Sequence, residues 1–157
     1  MSGGAYMLDT NILVYMLRGF KAANAGRDIH QRAERIRNRI ERELRHGAAI
    51  YISMVTICEL EYGAGKAVDP AKERRALSKI LAPFERAEGD SVNLPRHYGE
   101  IRCELEQAGQ PIGAMDLMIA AHARSLGVTL VTNNVSEFNR VKGLKVANWA
   151  ETGTSKE

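Results

Sequence analysis

Short apolar runs alternate along this chain with longer stretches in which apolar residues recur every three to four positions. The first run, residues 5–8, reads as a strand, and 11–17 as a helix directly after it. Residues 31–45 carry Ala33, Ile36, Ile40 and Leu44 on one helical stripe. A second strand is expected at 48–52, followed by a helix over 55–62 whose end Gly63 and Gly65 suit. Asp69 and Pro70 form a helix start, an N-cap side chain followed by a ring that presets φ. That helix is expected over 70–88, with Pro83 kinking or breaking it. A third strand is placed at 91–94. A helix over 95–107 stops before Gly109, and an apolar helix over 115–126 closes at Gly127. A fourth strand follows over 128–131, and a short fifth lies within 144–149. Strands alternating with helices predict an α/β fold: a mostly parallel sheet covered on both faces, in three layers α/β/α. No repeat or linker divides the chain. One domain is expected over 1–151, with 152–157 as a mobile tail.

Composition narrows the class. A chain of 157 residues is long enough for one proper core. Apolar content of 45% and charged content of 26% are those of an ordinary globular protein. The net charge of +3 and pI of about 9.0 lean mildly toward a polyanionic partner. No apolar stretch approaches the length of a membrane span, and the start Met1-Ser2-Gly3-Gly4 lacks the pattern of a secretory signal. The expected location is cytoplasmic. Cys58 and Cys103 sit in unrelated helical settings with no C-x-x-C nearby, and are expected as buried, reduced thiols. His30, His46, His97 and His122 share no metal-ligand spacing and read as surface or packing residues.

Three acids carry the candidate chemistry. Asp9 ends the first apolar run, Glu59 lies in the helix after the second strand, and Asp116 opens the apolar helix that leads to the fourth. Each abuts apolar sequence, where a carboxylate is costly unless paired or bound to a cation. In open α/β sheets, ligands sit beyond the carboxyl ends of the strands, at the point where strand order reverses. If strands two, one and four are neighbours, all three acids fall at that edge, together with Thr132, Asn133 and Asn134. Their mutual repulsion then calls for a divalent metal. Such an ion, Mg²⁺ or Mn²⁺, prefers oxygen ligands, keeps waters, and can activate one of them toward a phosphodiester. Asp9 and Asp116 are the candidate direct ligands. Glu59 completes the set or orients the attacking water, and Thr10, Asn11, Thr132 and Asn134 support waters or phosphate oxygens. Taken singly, each acid also has a plain structural reading. Asp9 and Asp116 suit helix starts, and Glu59 suits a solvated helix face.

The order of these motifs resembles a known family. Met7-Leu8-Asp9-Thr10-Asn11, Ser53-x-x-Thr56-x-x-Glu59-Leu60-x-x-Gly63, Pro111-Ile112-Gly113-x-x-Asp116-x-x-Ile119-Ala120-x-x-Ala123, Leu130-Val131-Thr132-Asn133-Asn134-x-x-Glu137-Phe138 and Val141-x-Gly143-Leu144-x-Val146-x-Asn148-Trp149 together look like a PIN-domain ribonuclease, a VapC-type toxin of a type II toxin–antitoxin system. The resemblance runs from Tyr6 to Trp149. It implies a PIN-like fold and catalytic Asp9, Glu59 and Asp116 around Mg²⁺ or Mn²⁺, with metal on Asp9 and Asp116. It also implies endoribonuclease activity on structured RNA, tRNA above all, a cognate VapB-type antitoxin, a homodimer and higher toxin–antitoxin assemblies. Other readings remain open at this point: a housekeeping RNA-processing or DNA-repair nuclease of the same fold, or a weakened binding protein. Where many PIN domains have a fourth acid after the fourth strand, this chain has Asn134. Glu137 is a substitute acid or a brace for the following turn. The segment from about 19 to 46 is longer and more basic than the family pattern. There Arg35, Arg39 and Arg42 are candidate RNA contacts, or simply partners of neighbouring glutamates.

Overall fold

The computed structural model describes residues 3–21 and 26–151. Its strands are β1 (Ala5–Leu8), β2 (Ala49–Ser53), β3 (Glu85–Ala87), β4 (Thr129–Val131) and β5 (Val146–Ala147). Its helices are α1 (Thr10–Lys21), α2 (Arg27–Arg45), α3 (Met54–Gly65), α4 (Pro70–Leu81), α5 (Asn93–Gln107), α6 (Ala114–Leu126) and α7 (Val135–Phe138). All strands are parallel, in the order β3-β2-β1-β4-β5. The helices supply the crossovers that parallel pairing requires.

The sheet is buried on both faces, so its strands need apolar side chains on both sides rather than alternation. Consecutive β1 residues divide between the two cores. Leu8 packs with Ile12, Leu13, Ile36, Ile40, Ile57 and Leu60, the faces of α1, α2 and α3. Met7 packs with Ile101, Leu105, Ile119, Leu130 and Phe138 on the side of α5 and α6. This is the expected three-layer α/β/α architecture, and β1 lies at its centre between β2 and β4.

Several local expectations hold. The Asp69 side chain accepts a hydrogen bond from Lys72 N at 3.1 Å, Pro70 opens α4, and the helix stops before Pro83. Gly127 ends α6 in the left-handed region at φ 68°, where an L side chain would be strained.

Others are corrected. The third strand is Glu85–Ala87, inside the stretch assigned to helix, and not 91–94. It is an edge strand of three residues, too short and polar to show a pattern. The 91–94 segment is a turn into α5, where Asp90 Oδ1 accepts from Val92 N at 2.8 Å and Asn93 N at 2.7 Å. Helix α3 runs through Gly63, because packing of Leu60 and Ala64 into the core outweighs a weak helix former. Both cysteines are free but exposed, on the outer faces of α3 and α5 whose inner faces carry Ile57, Leu60, Ile101 and Leu105. The expected tail at 152–157 lies outside the described residues.

Candidate active site

Asp9 is the residue between β1 and α1, and two constraints fix it there. Its backbone N–H donates to Val131 O at 2.9 Å, continuing the β1–β4 ladder, while its carbonyl accepts from Ile12 N at 3.0 Å, starting the helix. The side chain is therefore held at the carboxyl edge of the sheet, between β2 and β4, and is almost fully buried. The Thr132 hydroxyl, just past β4, donates to Asp9 Oδ2 at 2.9 Å and accepts from Asn134 N at 3.0 Å.

The other acids come from three further elements. Glu59 lies on α3, half-buried, and Oε1 accepts from the Thr10 hydroxyl at 2.8 Å. Asp116 stands half-buried in the first turn of α6, after Gly113. Glu137 in α7 accepts a hydrogen bond from Asn134 Nδ2. An acid thus follows β4, one helical turn beyond Asn134, with the asparagine side chain holding it. Asn11, by contrast, is exposed on α1.

The charges of these groups act on one another. Burial raises the Asp9 pKa to about 6, and the charges of Asp116 and then Glu59 push in the same direction. The Thr132 hydroxyl and the Thr10 N–H oppose the rise. Asp116 is also held above the usual carboxylate range, first by burial, then by Glu137 and Glu59. Four carboxylates from β1–α1, α3, α6 and α7 therefore repel within one site.

An all-oxygen donor set under mutual repulsion suits a hard divalent cation. Among the described residues, no three His, Cys, Asp or Glu side chains form a ready-made metal cage.

One brace was not anticipated from sequence. Ser53, the N-cap of α3, accepts from Val55 N, and its hydroxyl lies 2.7 Å from His122 Nδ1 on α6. The pair ties the helix bearing Glu59 to the helix bearing Asp116. His122 is buried, and loss of solvent lowers its pKa, so it stays neutral there. A serine before a helix and a histidine inside one are each commonplace, so only their contact reveals the brace.

The candidate RNA arginines do not join the carboxylates. Helix α2 enters β2 through residues 46–48, which places Arg42 and Arg45 at the amino edge of the sheet, opposite Asp9. Arg35 Nη1 donates to Ala150 O at 3.1 Å. Arg39 pairs with Glu43 at 2.7 Å and lies over the Trp149 ring. Arg42 is the freer of the three, 3.9 Å from Glu43.

Comparison with known proteins accords with this geometry. The profile of the family described as PIN domain matches residues 6–144. The chain is 36% identical over 145 residues to the tRNA(fMet)-specific endonuclease VapC of Shigella flexneri, covering 92% of this chain and 98% of that protein. It is 38% identical over 144 residues to ribonuclease VapC2 of Rickettsia felis, covering 92% and 97%. Among solved structures, VapBC2 from Rickettsia felis bound to a DNA fragment from its promoter is similar at TM-score 0.79 and 35% identity, covering 92% of this chain and 98% of that one. DNA-bound VapBC from Salmonella typhimurium is similar at TM-score 0.78 and 32% identity, covering 93% and 98%.

Proposed function

The chain belongs to the PIN-domain family, and from that premise we propose that it is the endoribonuclease toxin of a toxin–antitoxin pair. The observation that carries this reading is the set of four carboxylates, from four separate elements, repelling one another at the carboxyl edge of the sheet. Asp9 and Asp116 would hold Mg²⁺ or Mn²⁺ directly, with Glu59 and Glu137 completing the negative field. When bound, the ion supplies charge neutralisation and a water of lowered pKa for in-line attack on a phosphodiester.

The chain's own groups prepare the site. Thr132 pins Asp9 Oδ2, and the Thr10 N–H also holds the carboxylate. Thr10 pins Glu59 Oε1, leaving Oε2 to accept a proton from the attacking water. Asn134 holds Glu137 toward Asp116 and contributes an amide rather than a charge. Because water and not a ribose hydroxyl attacks, the products carry a 5′-phosphate and a 3′-hydroxyl.

Structured RNA is the substrate class, with tRNA foremost. This rests on a relative named as a tRNA(fMet)-specific endonuclease. The partner is a VapB-type antitoxin, supported by similarity to VapBC complexes. An Arg or Lys of that partner would neutralise the carboxylates by charge-assisted hydrogen bonds. Homodimers and higher toxin–antitoxin assemblies, in the cytoplasm, complete the reading. Among the described residues no helix is long and apolar enough to cross a membrane. The test is induced expression in bacteria followed by sequencing of RNA 5′ ends. New 5′-phosphate ends at a few tRNA positions, with growth arrest relieved by the antitoxin, are expected. An unchanged 5′-end profile at high expression would overturn the proposal.

A further inference from the structure

Thr56 lies on α3, three residues before Glu59, and is fully buried. Its hydroxyl oxygen is 3.0 Å from Thr10 Oγ1, and Thr10 Oγ1 is 2.8 Å from Glu59 Oε1. The proton count orders this chain. An ionised carboxylate only accepts, so the single Thr10 hydroxyl proton goes to Glu59. Thr10 Oγ1 then offers Thr56 a lone pair, and the Thr56 hydroxyl donates to it. Thr56 therefore reaches Glu59 through Thr10.

That arrangement has a conformational consequence. A threonine side chain sits in one of a few staggered χ1 rotamers, and not all of them aim the hydroxyl at a given partner. Thr10 begins α1 and is itself largely buried, so its rotamer decides whether Glu59 has a fixed donor. A second donor from α3, aimed at Thr10 Oγ1, selects the rotamer that serves Glu59. The relay also crosses the two helices flanking the site, since Thr10 adjoins Asp9 and Thr56 shares a helix with Glu59.

We propose that Thr56 is a positioning residue for the cleavage reaction, holding the Thr10 hydroxyl on Glu59 and so fixing which Glu59 oxygen faces the substrate. This rests on the reading of Glu59 as part of a metal-dependent nuclease site. It concerns the rate of the chemical step and not the affinity for RNA or metal.

The test compares single-turnover cleavage of bulk tRNA at saturating Mn²⁺ for Thr56→Val, Thr56→Ser, Thr10→Val and the Thr10→Val/Thr56→Val double variant. Melting curves for each confirm folding, and Thr56→Ala serves where the valine does not fold. Thr56→Val is expected to slow cleavage roughly two- to ten-fold, the scale of one lost buried hydrogen bond. Thr56→Ser keeps the hydroxyl and should stay within about twofold of wild type on the same scale. If Thr56 acts through Thr10, the double variant is no slower than Thr10→Val alone. A wild-type rate in Thr56→Val, a serine variant as slow as the valine, or losses that multiply in the double variant would each overturn the proposal. The underlying reading fails separately: it falls if Asp9→Asn and Asp116→Asn still cleave. If those two are inactive while Thr56→Val cleaves at the wild-type rate, the positioning role alone falls.

Discussion

Asp9→Asn should make the metal-free protein more stable while removing its activity. The carboxylate is almost fully buried, and its pKa rises from the ordinary 3.8 to about 6, first through burial and then through the charges of Asp116 and Glu59. The folded state therefore binds the Asp9 proton more tightly than the unfolded chain does. Stability from that proton is fully present below about pH 4 and is lost as pH rises through about 6. At pH 7.5 the ionised group costs folding about 3 kcal/mol, from a rise of roughly two pK units at about 1.4 kcal/mol each. An asparagine removes the charge and can still accept from Thr132 through its amide oxygen. Allowing for an imperfect amide fit, the gain is about 1–3 kcal/mol, or a Tm rise of roughly 3–10 °C for a chain of this size. The assay is thermal melting in EDTA at pH 7.5 and pH 5. The gap between variant and wild type should shrink by about 1.4 kcal/mol at pH 5, where the unfolded carboxylate is ionised but the native one is mostly protonated. Mn²⁺ should then raise the wild-type Tm and leave the variant nearly unchanged. A variant less stable than wild type in EDTA at pH 7.5, or a gap independent of pH, would refute the electrostatic account of this site.

Asn134→Ala, which removes a donor to the Glu137 carboxylate, should slow cleavage at least about tenfold, the scale of one hydrogen bond to a charged group, whereas Glu137→Gln should cost more if its charge serves the site. Single-turnover rates for Asn134→Ala as low as those for Glu137→Gln, both folded, would contradict that ranking. Arg35→Ala and Arg39→Ala should lower Tm, because these side chains hold Ala150 and Trp149 in place. Arg42→Gln should leave Tm within about 1 °C, as expected of an exposed and weakly paired charge. If Arg42 contacts RNA phosphate, its loss should also reduce the salt slope of binding by up to about 0.7 in log–log units. An unchanged slope assigns Arg42 to the solvated helix surface.

The legible parts of the fold were those written in local chemistry. Asp69-Pro70 announced a helix start and Gly127 a helix end, and each matched because the cause acts within one turn. Asp9 at a strand end was equally readable, since a carboxylate interrupting an apolar run is costly without a reason. Strand β3 was not readable: Glu85-Arg86-Ala87 has no apolar periodicity and becomes a strand only by pairing with Tyr51, Ile52 and Ser53 of β2. The cysteines were misread because composition gives the average burial of a residue type, while the helix face decides the individual one. The weight of Glu137 in the site was underestimated for a related reason. Sequence shows that it follows Asn134 by three, but only the placement of α7 against α6 brings its charge to Asp116. Thr56 and the Ser53–His122 brace depend on contacts across 46 and 69 residues, beyond any local pattern.

The most direct measurement of the central claim is single-turnover cleavage of purified tRNA by wild type, Asp9→Asn and Asp116→Asn, each in EDTA and after restoring Mg²⁺ or Mn²⁺. Product ends would be identified in the same samples. Cleavage by wild type only with added metal, 5′-phosphate and 3′-hydroxyl products, and a loss of at least about a hundredfold in both folded variants are predicted, as expected when a charged ligand is removed. Full cleavage in EDTA, or undiminished cleavage by either folded variant in a preparation free of contaminating nuclease, would contradict the account.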